Sequence, residues 1–378
     1  MIRILDWNYQ THRIFGEFFK KYKINIDNHD NINGIYDIII VHREGIQDSD
    51  FSEIEKYCHP KTKIICDITT ESGNIQCFLD SFKKTTDTHN YQFYLIADTD
   101  LSKYFKRVKV KYITLHSFSL VFFPFLNDSS DNQMSLFTDF SSYENSFMSL
   151  NNSCRLHRIL LLNELLKKQM DLSKCSFLFT TSSDTGYIHN RNVFKDSVYT
   201  LIEKKFITEH DGSILLNMNL PITLDIDVNN LTYISNRIND NVYKSIINLI
   251  TENLFGISEG DITEDEIVTF TEKTIKPFQA RQIPIFLGLP NLQETLRTIG
   301  FDLFDDFVDN RFEKEKNHHK RMTMAIDEVN RLIDTDLLEF KKNNIDRFEK
   351  NYNLLQTLSK DGEILVEQFL LEHNIFDI

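Results

Sequence analysis

The sequence predicts an α/β protein of two doubly wound, Rossmann-like domains followed by a helical C-terminal tail. Three observations carry that expectation. Apolar runs of strand length alternate with short helix-period segments through residues 1–130. A second alternation of the same kind opens after a stretch rich in Ser, Asn and Asp. From about Arg311 the chain becomes charged and helical, with apolar residues on one face.

In chain order, MIRILDW starts as a strand and THRIFGEFFKKY follows as an amphipathic helix. YDIIIVH, Tyr36–His42, is a near-continuous apolar run, the pattern of a strand covered on both faces. FSEIEKYCH reads as a short helix, and KTKIICDIT, Lys61–Thr69, as the next buried strand. FLDSFKKT is helical, YQFYLIAD, Tyr91–Asp98, is a strand, and VKVKYITL adds another. Strands separated by short helices imply a parallel sheet. The run Phe125–Ser146 has no period and reads as a linker. FMSLN, Phe147–Asn151, then starts the second domain as a strand, and Arg155–Met170 is a helix with Leu156, Ile159, Leu160, Leu166 and Met170 at helical spacing. Cys175–Thr181 is a strand, and residues 182–240 hold an insertion. Val242–Asn253 reads as a helix running into a strand. The expected divisions are 1–130, a linker at 131–146, a second domain at 147–310 and a helical tail at 311–378. Met322, Ala325, Ile326, Val329 and Ile333 form the tail's apolar stripe, suited to packing back across both domains.

A chain of 378 residues has room for two cores. Its 41% hydrophobic and 26% charged residues are ordinary for a globular protein, which argues against wholesale disorder. A net charge of −14 has the wrong sign for broad binding to a polyanion. Cys58, Cys66, Cys77, Cys154 and Cys175 form no C-x-x-C pair, so neither a disulfide framework nor a zinc cluster is expected, and a reducing cytoplasm fits. There is no signal-peptide pattern and no apolar run near the ~18 residues of a membrane span, so a soluble protein is expected. G-x-G-x-x-G, Walker A, G-x-S-x-G and H-E-x-x-H are all absent.

Two constellations carry chemistry. The first is Ile267–Pro290, where Thr271-Glu272-Lys273-Thr274 leads into a helix starting near Pro277, then a strand Ile283–Leu287 closed by Gly288. An ammonium at Lys273 beside free N–H groups suits a diphosphate, and a carboxylate at Glu272 suits two ribose hydroxyls. The plainer alternative is a solvated surface pair. The second constellation is Arg155, His157 and Arg158 at a strand-to-helix junction. There two guanidinium groups and N–H groups can converge on an anionic leaving group. Arg155 is preferred over Arg158 because it precedes the helix; surface arginines on an amphipathic helix are the alternative.

INLITEN, a linker, TEKT, a helix and IPIFLG together resemble the C-terminal half of fucosyltransferase-type enzymes. In those, a strand ending in Glu-Asn precedes Thr-Glu-Lys and a strand with Pro-x-x-x-Gly. TEKTIKPFQARQIPIFLGLPNLQETLRTIGFDLFDDFVD and FMSLNNSCRLHRILLLNELL are similar to glycosyltransferases of bacteriophages and large viruses. The likeness covers roughly residues 145–310. It implies a GT-B-like architecture of two Rossmann-like domains and a UDP- or GDP-sugar donor. It also implies donor contacts at Arg155, Arg158, Glu252, Asn253, Thr271, Glu272 and Lys273. This chain departs from the pattern in the longer linker between Asn253 and Thr271, which leaves the role of Glu252 open.

An inverting transferase needs a base for the acceptor hydroxyl. Glu71, after KIICDITT, and Asp98, after YQFYLIA, lie just past carboxyl ends of strands, with His42 and His116 as further options. Asp98-Thr99-Asp100 and Asp225-Ile226-Asp227 spell the D-x-D triplet that holds a divalent ion in the other transferase architecture. The Thr-Glu-Lys context favours Lys and Arg, not a metal, as the groups that neutralise the diphosphate. The acceptors implied are a hydroxymethylated pyrimidine in phage DNA, or a glycan or lipid-linked sugar. RVKVKY, Arg107–Tyr112, is the one compact basic run available to a DNA acceptor. A non-catalytic binding module with this fold is the rival class.

Overall fold

The structure, a computed structural model, describes residues 3–7, 19, 21–23, 26–28, 34–42, 53–67, 91–97, 111–114, 140–151, 154–177, 191–222, 244–252, 255, 270–289 and 291–375. The chain divides into two compact units. The first comprises Met1–Asn127, Thr269–Glu272 and Gln356–Ile378; the second comprises Asp128–Val268 and Lys273–Leu355.

The first unit is built on a six-stranded parallel sheet. Its strands are β1 Ile4–Asp6, β2 Asp27–Asn28, β3 Ile38–His42, β4 Lys63–Asp67, β5 Gln92–Ala97 and β6 Lys111–Thr114, in the order β2-β1-β3-β4-β5-β6. Each of the apolar runs read as strands is a strand. Ile40 lies opposite Ile65, and Ile65 opposite Tyr94, so β-branched and aromatic side chains share one face of the sheet. The end of the chain covers that face: Val366, Phe369, Leu370 and Ile375 pack with Ile38, Ile40, Ile65 and Ile96. Glu367 fastens it by accepting from Lys21 Nζ at 2.6 Å and Tyr22 Oη at 2.7 Å.

The second unit holds a four-stranded sheet of β7 Asn145–Asn151, β8 Cys175–Phe177, β9 Ser245–Thr251 and β10 Ile283–Leu287. The order is β10-β9-β7-β8, and all pairs are parallel. Every residue of β9 and β10 is buried, as a strand covered on both faces must be. The helices are α1 Leu156–Lys167, α2 Arg191–Glu203, α3 Glu209–Leu216, α4 Glu272–Gln279, α5 Leu292–Ile299, α6 His318–Ile333, α7 Leu337–Asn343 and α8 Ile345–Glu372. The last belongs to the second unit as far as Leu355 and to the first from Gln356.

Four expectations need correction. Where a helix running into a strand was expected over Val242–Asn253, the strand β9 already begins at Ser245. SIINLIT is a short apolar run whose period fits either state, and its β-branched residues settle it as strand between two parallel neighbours. α4 begins at Glu272 and carries Pro277 inside it. Burial of Ile275 and Phe278 on one face outweighs the missing proline N–H. Within 182–240, the part read as an insertion contains α2 and α3, the latter opened by a capping box between Thr208 and Asp211. Finally, α1 is not amphipathic: His157 through Leu165 are all buried, because α2 and α6 both pack on it.

Beside β9, Lys341 of α7 is fully buried. Its Nζ donates to the Arg281 carbonyl at 2.8 Å and lies 4.2 Å from the Tyr143 ring centre. Burial, with the nearby Arg281 charge, pushes this ammonium well below the ordinary lysine range. The lysine of the unfolded chain titrates near ~10.4. Between the depressed folded value and that figure, the unfolded chain binds the extra proton. Stability is therefore greatest above the unfolded value and falls with pH, by at most about 1.4 kcal/mol per unit, down to the folded value. Urea unfolding from pH 7 to 10 is expected to show this rise with pH, and Lys341→Met to flatten it.

Candidate functional site at the end of the second sheet

The second sheet has a topological switch point. From β7 the chain moves to β8 on one side, then to β9 and β10 on the other, so the winding direction reverses between β7 and β9. In open parallel sheets the crevice beyond the carboxyl ends of two such strands is where ligands bind. Here those ends carry a connected set of buried polar groups.

Thr251, the last residue of β9, donates through Oγ1 to Oδ1 of Asn151, the last residue of β7, at 2.6 Å. Asn151 Nδ2 donates to Ser149 Oγ at 3.1 Å, and Ser149 Oγ donates to the Leu249 carbonyl at 2.8 Å. All three side chains are buried, so the two strand ends are locked together by side chains as well as by the ladder.

Glu252 follows. Its N–H donates to the Leu287 carbonyl at 2.9 Å, carrying the β9–β10 pairing one residue past the strand. The residue is 2% exposed, and its Oε1 accepts a hydrogen bond from Thr274 Oγ1 of α4. Its carbonyl lies 2.9 Å from Nε2 of His157 on α1. A carbonyl only accepts, so Nε2 carries the proton and Nδ1 is a lone pair. That buried Nδ1 has no hydrogen-bond partner among the described residues. Burial first, then the charges of Arg158, Arg155 and Lys273, hold the ring far below the ordinary histidine range, so His157 is neutral.

Arg155 and Arg158 stand at the start of α1 and Lys273 at the start of α4, and all three charges are near enough to the buried imidazole to act on it. Arg155 is the extended residue before α1, half-buried, and its carbonyl accepts from Arg158 N at 3.0 Å. Arg158 lies on the helix and is 1% exposed. A surface position for it is thus excluded. Lys273 is the second residue of α4 and half-buried. Partial positive charge from the first turns of α1 and α4 adds to these side chains.

Gly288, just past β10, makes room for this arrangement. A Cβ placed there would lie 3.4 Å from both Cβ and Cγ of Glu252, and 3.4 Å from Leu292 Cδ1. A methyl group therefore fits, and anything larger meets the glutamate stem. Gly288→Ala is expected to be nearly neutral and Gly288→Leu to cost about 1–3 kcal/mol through overpacking. Urea unfolding midpoints of the two variants check this.

Of the other residues expected from the sequence, Thr271 is buried immediately before α4 and falls in the first unit. Glu272 opens α4, and its side chain lies outside the described residues. Asn253, Glu71, Asp98, His116 and both D-x-D triplets also lie outside them, as does the side chain of His42. Of the basic run, Lys111 is exposed on β6. The sequence named His157 as a member of the Arg155–Arg158 constellation without a role of its own, and assigned none to Asn151, Thr251 or Thr274. Thr274 had a signal, as the fourth residue of Thr-Glu-Lys-Thr, and His157 stood between the two arginines. Asn151 and Thr251 were marked only by being polar at the ends of apolar runs. Among the described residues, no group of three or more His, Cys, Asp or Glu is placed to hold a metal ion. No described helix is long and apolar enough to cross a membrane.

The class so defined is an α/β protein of two parallel-sheet units with a cationic, buried polar site at the switch point of the second. No protein-family model and no curated protein matches the chain. Among solved structures it is similar to an alpha1,3-fucosyltransferase with GDP, at 14% identity and a TM-score of 0.42, over 95% of this chain and 90% of that one. It is also similar to an alpha,alpha-trehalose 6-phosphate synthase from Burkholderia multivorans, at 11% identity and a TM-score of 0.41, over 89% of this chain and 72% of that one.

Proposed function

We propose that the protein is a glycosyltransferase of GT-B type that moves a sugar from a nucleoside-diphosphate donor to a hydroxyl acceptor. The observation that carries this reading is that Arg155 and Arg158 at the start of α1 and Lys273 at the start of α4 lie near the buried His157, whose ring is bonded to the Glu252 carbonyl at the switch point. In sugar transfer the bond between the anomeric carbon and the diphosphate oxygen breaks, and a bond from the acceptor oxygen forms. The departing diphosphate gains negative charge as it leaves. Fixed cations and helix N–H groups in a water-poor site stabilise that charge without reorganising. A neutral histidine suits the place, because its Nε2–H holds the Glu252 carbonyl without adding a fourth cation.

In this reading Arg155, Arg158 and Lys273 hold the diphosphate, and Thr271 and Glu272 take the ribose. Glu252, whose carboxylate and carbonyl are already bonded, shapes the wall together with Asn253. Glu71 and Asp98 are the bases proposed for the acceptor proton. UDP- and GDP-sugars are the donors to try, without added metal, and the protein works in the cytoplasm. For the acceptor, the likeness of FMSLNNSCRLHR and TEKTIKPFQARQIPIFLG to phage and large-virus transferases supports a hydroxymethylated pyrimidine in DNA.

The test incubates the protein with UDP-, GDP- and CMP-sugars and with hydroxymethylated DNA, free glycans or lipid-linked sugars in turn. Released nucleoside diphosphate and mass spectra of the digested nucleosides are read together. A glycosylated nucleoside establishes the DNA acceptor, and transfer to a glycan or lipid-linked sugar alone moves the assignment there. Nucleotide binding with no transfer or donor hydrolysis under any condition would leave a binding module and sink the enzyme reading.

A further inference from the structure

The sequence places residues beyond Arg311 in a helical tail suited to packing back across both domains. The contacts of α6 give part of that tail a different role. Phe255, three residues past Glu252, is fully buried, and its ring packs on that of His157 with centroids 5.6 Å apart. On its other contacts Phe255 meets α6. Arg321 Nη2 donates to the Phe255 carbonyl at 3.0 Å, and the same guanidinium lies 4.5 Å from the Phe255 ring centre. The His318 ring stands 5.7 Å from Phe255, and Arg321 Nη2 lies 3.0 Å from His318 Nδ1. An arginine only donates, so His318 Nδ1 is the acceptor, and one guanidinium orients both a ring and a main-chain carbonyl.

From these contacts we propose that Arg321 is a positioning residue for the diphosphate-binding cations, acting through Phe255 and His157. This rests on the reading of the site given above. The chain of contact is continuous: Arg321 holds Phe255, Phe255 backs the His157 ring, and His157 ties the start of α1 to the Glu252 carbonyl. Arg155 and Arg158 flank His157, so their placement follows that of the ring. Arg321 is 2% exposed. Packing alone would be served as well by an apolar side chain, without the cost of taking a guanidinium out of water. What arginine adds is direction, and direction matters where charges must meet a ligand within a fraction of an ångström.

The experiment is calorimetric titration of the full chain with GDP and UDP, and with guanosine and uridine, for wild type, Arg321→Met, Arg155→Ala and the double variant. Arg321→Met is expected to weaken the diphosphate about tenfold, and to leave the bare nucleoside unchanged. The double variant should lose less than the product of the two single effects, because both act on the same cations. Equal GDP and UDP affinity in Arg321→Met and wild type overturns the inference while leaving the site reading intact; so does full multiplication of the two effects. A wild-type protein that binds neither diphosphate overturns both. Where Arg321→Met does not fold, Arg321→Lys carries the same test, since it keeps the charge and loses the fork that reaches Phe255 and His318 together.

Discussion

Replacing Lys273 by alanine is expected to weaken nucleoside-diphosphate binding about 10- to 150-fold, the worth of a charge-assisted hydrogen bond of about 1.5–3 kcal/mol. The unliganded protein should keep its stability to within about 0.5 kcal/mol. The two halves of this expectation have separate causes. Lys273 is half-buried in the first turn of α4, where water reaches part of its side chain, so the empty protein loses little. A bound diphosphate would face the ammonium together with Arg155 and Arg158, beside a His157 that burial first, and these charges second, keep neutral. Titration with GDP and UDP, set beside a melting curve of each unliganded protein, checks both halves. A variant that binds like wild type would remove Lys273 from the site.

Leu161→Ala is expected to produce the largest loss of stability, about 2–5 kcal/mol. Leu161 sits in the middle of α1, in a run of nine buried residues, and is fully buried in the core of the second unit. It shares that core with residues of α2, α6 and the sheet, and α1 packs on both helices, so the cavity closes poorly. Lys167→Ala on the same helix is the control. Its side chain is 40% exposed, and its ammonium reaches Glu164 at 3.4 Å and Asp211 at 3.2 Å, pairs that solvent screens to about 1 kcal/mol. Urea unfolding of the two variants measures the contrast. A Leu161→Ala cost below that of Lys167→Ala would mean that α1 is not enclosed as described.

The strands were legible because burial on both faces writes itself into sequence. IIIVH, KIICD and IPIFL leave no polar alternation, and each is a strand. α2 and α3 were less legible, although Phe194, Val198 and Leu201 repeat at helical spacing. The polar residues around them mask that pattern, and the Thr208–Asp211 cap carries no Glu or Gln to announce it. In the site, the types of Arg155, Arg158 and Lys273 and their place at helix starts were readable, as was Gly288. The burial of Arg158 was not, since α1 is enclosed by α2 and α6, both further along the chain. The bonding of Glu252 to Thr274 and His157 joins three separate elements, and no local pattern encodes such a meeting.

The most direct test of the central claim is a melting-temperature panel of the wild-type protein against GDP, UDP, CMP, their sugar conjugates and the bare nucleosides. The account predicts saturable stabilisation by at least one nucleoside diphosphate, reaching about 2.7 kcal/mol at a hundred times its Kd, with the bare nucleoside far weaker. No shift with any nucleotide, or equal shifts with and without the diphosphate, would contradict a diphosphate site at the end of β9.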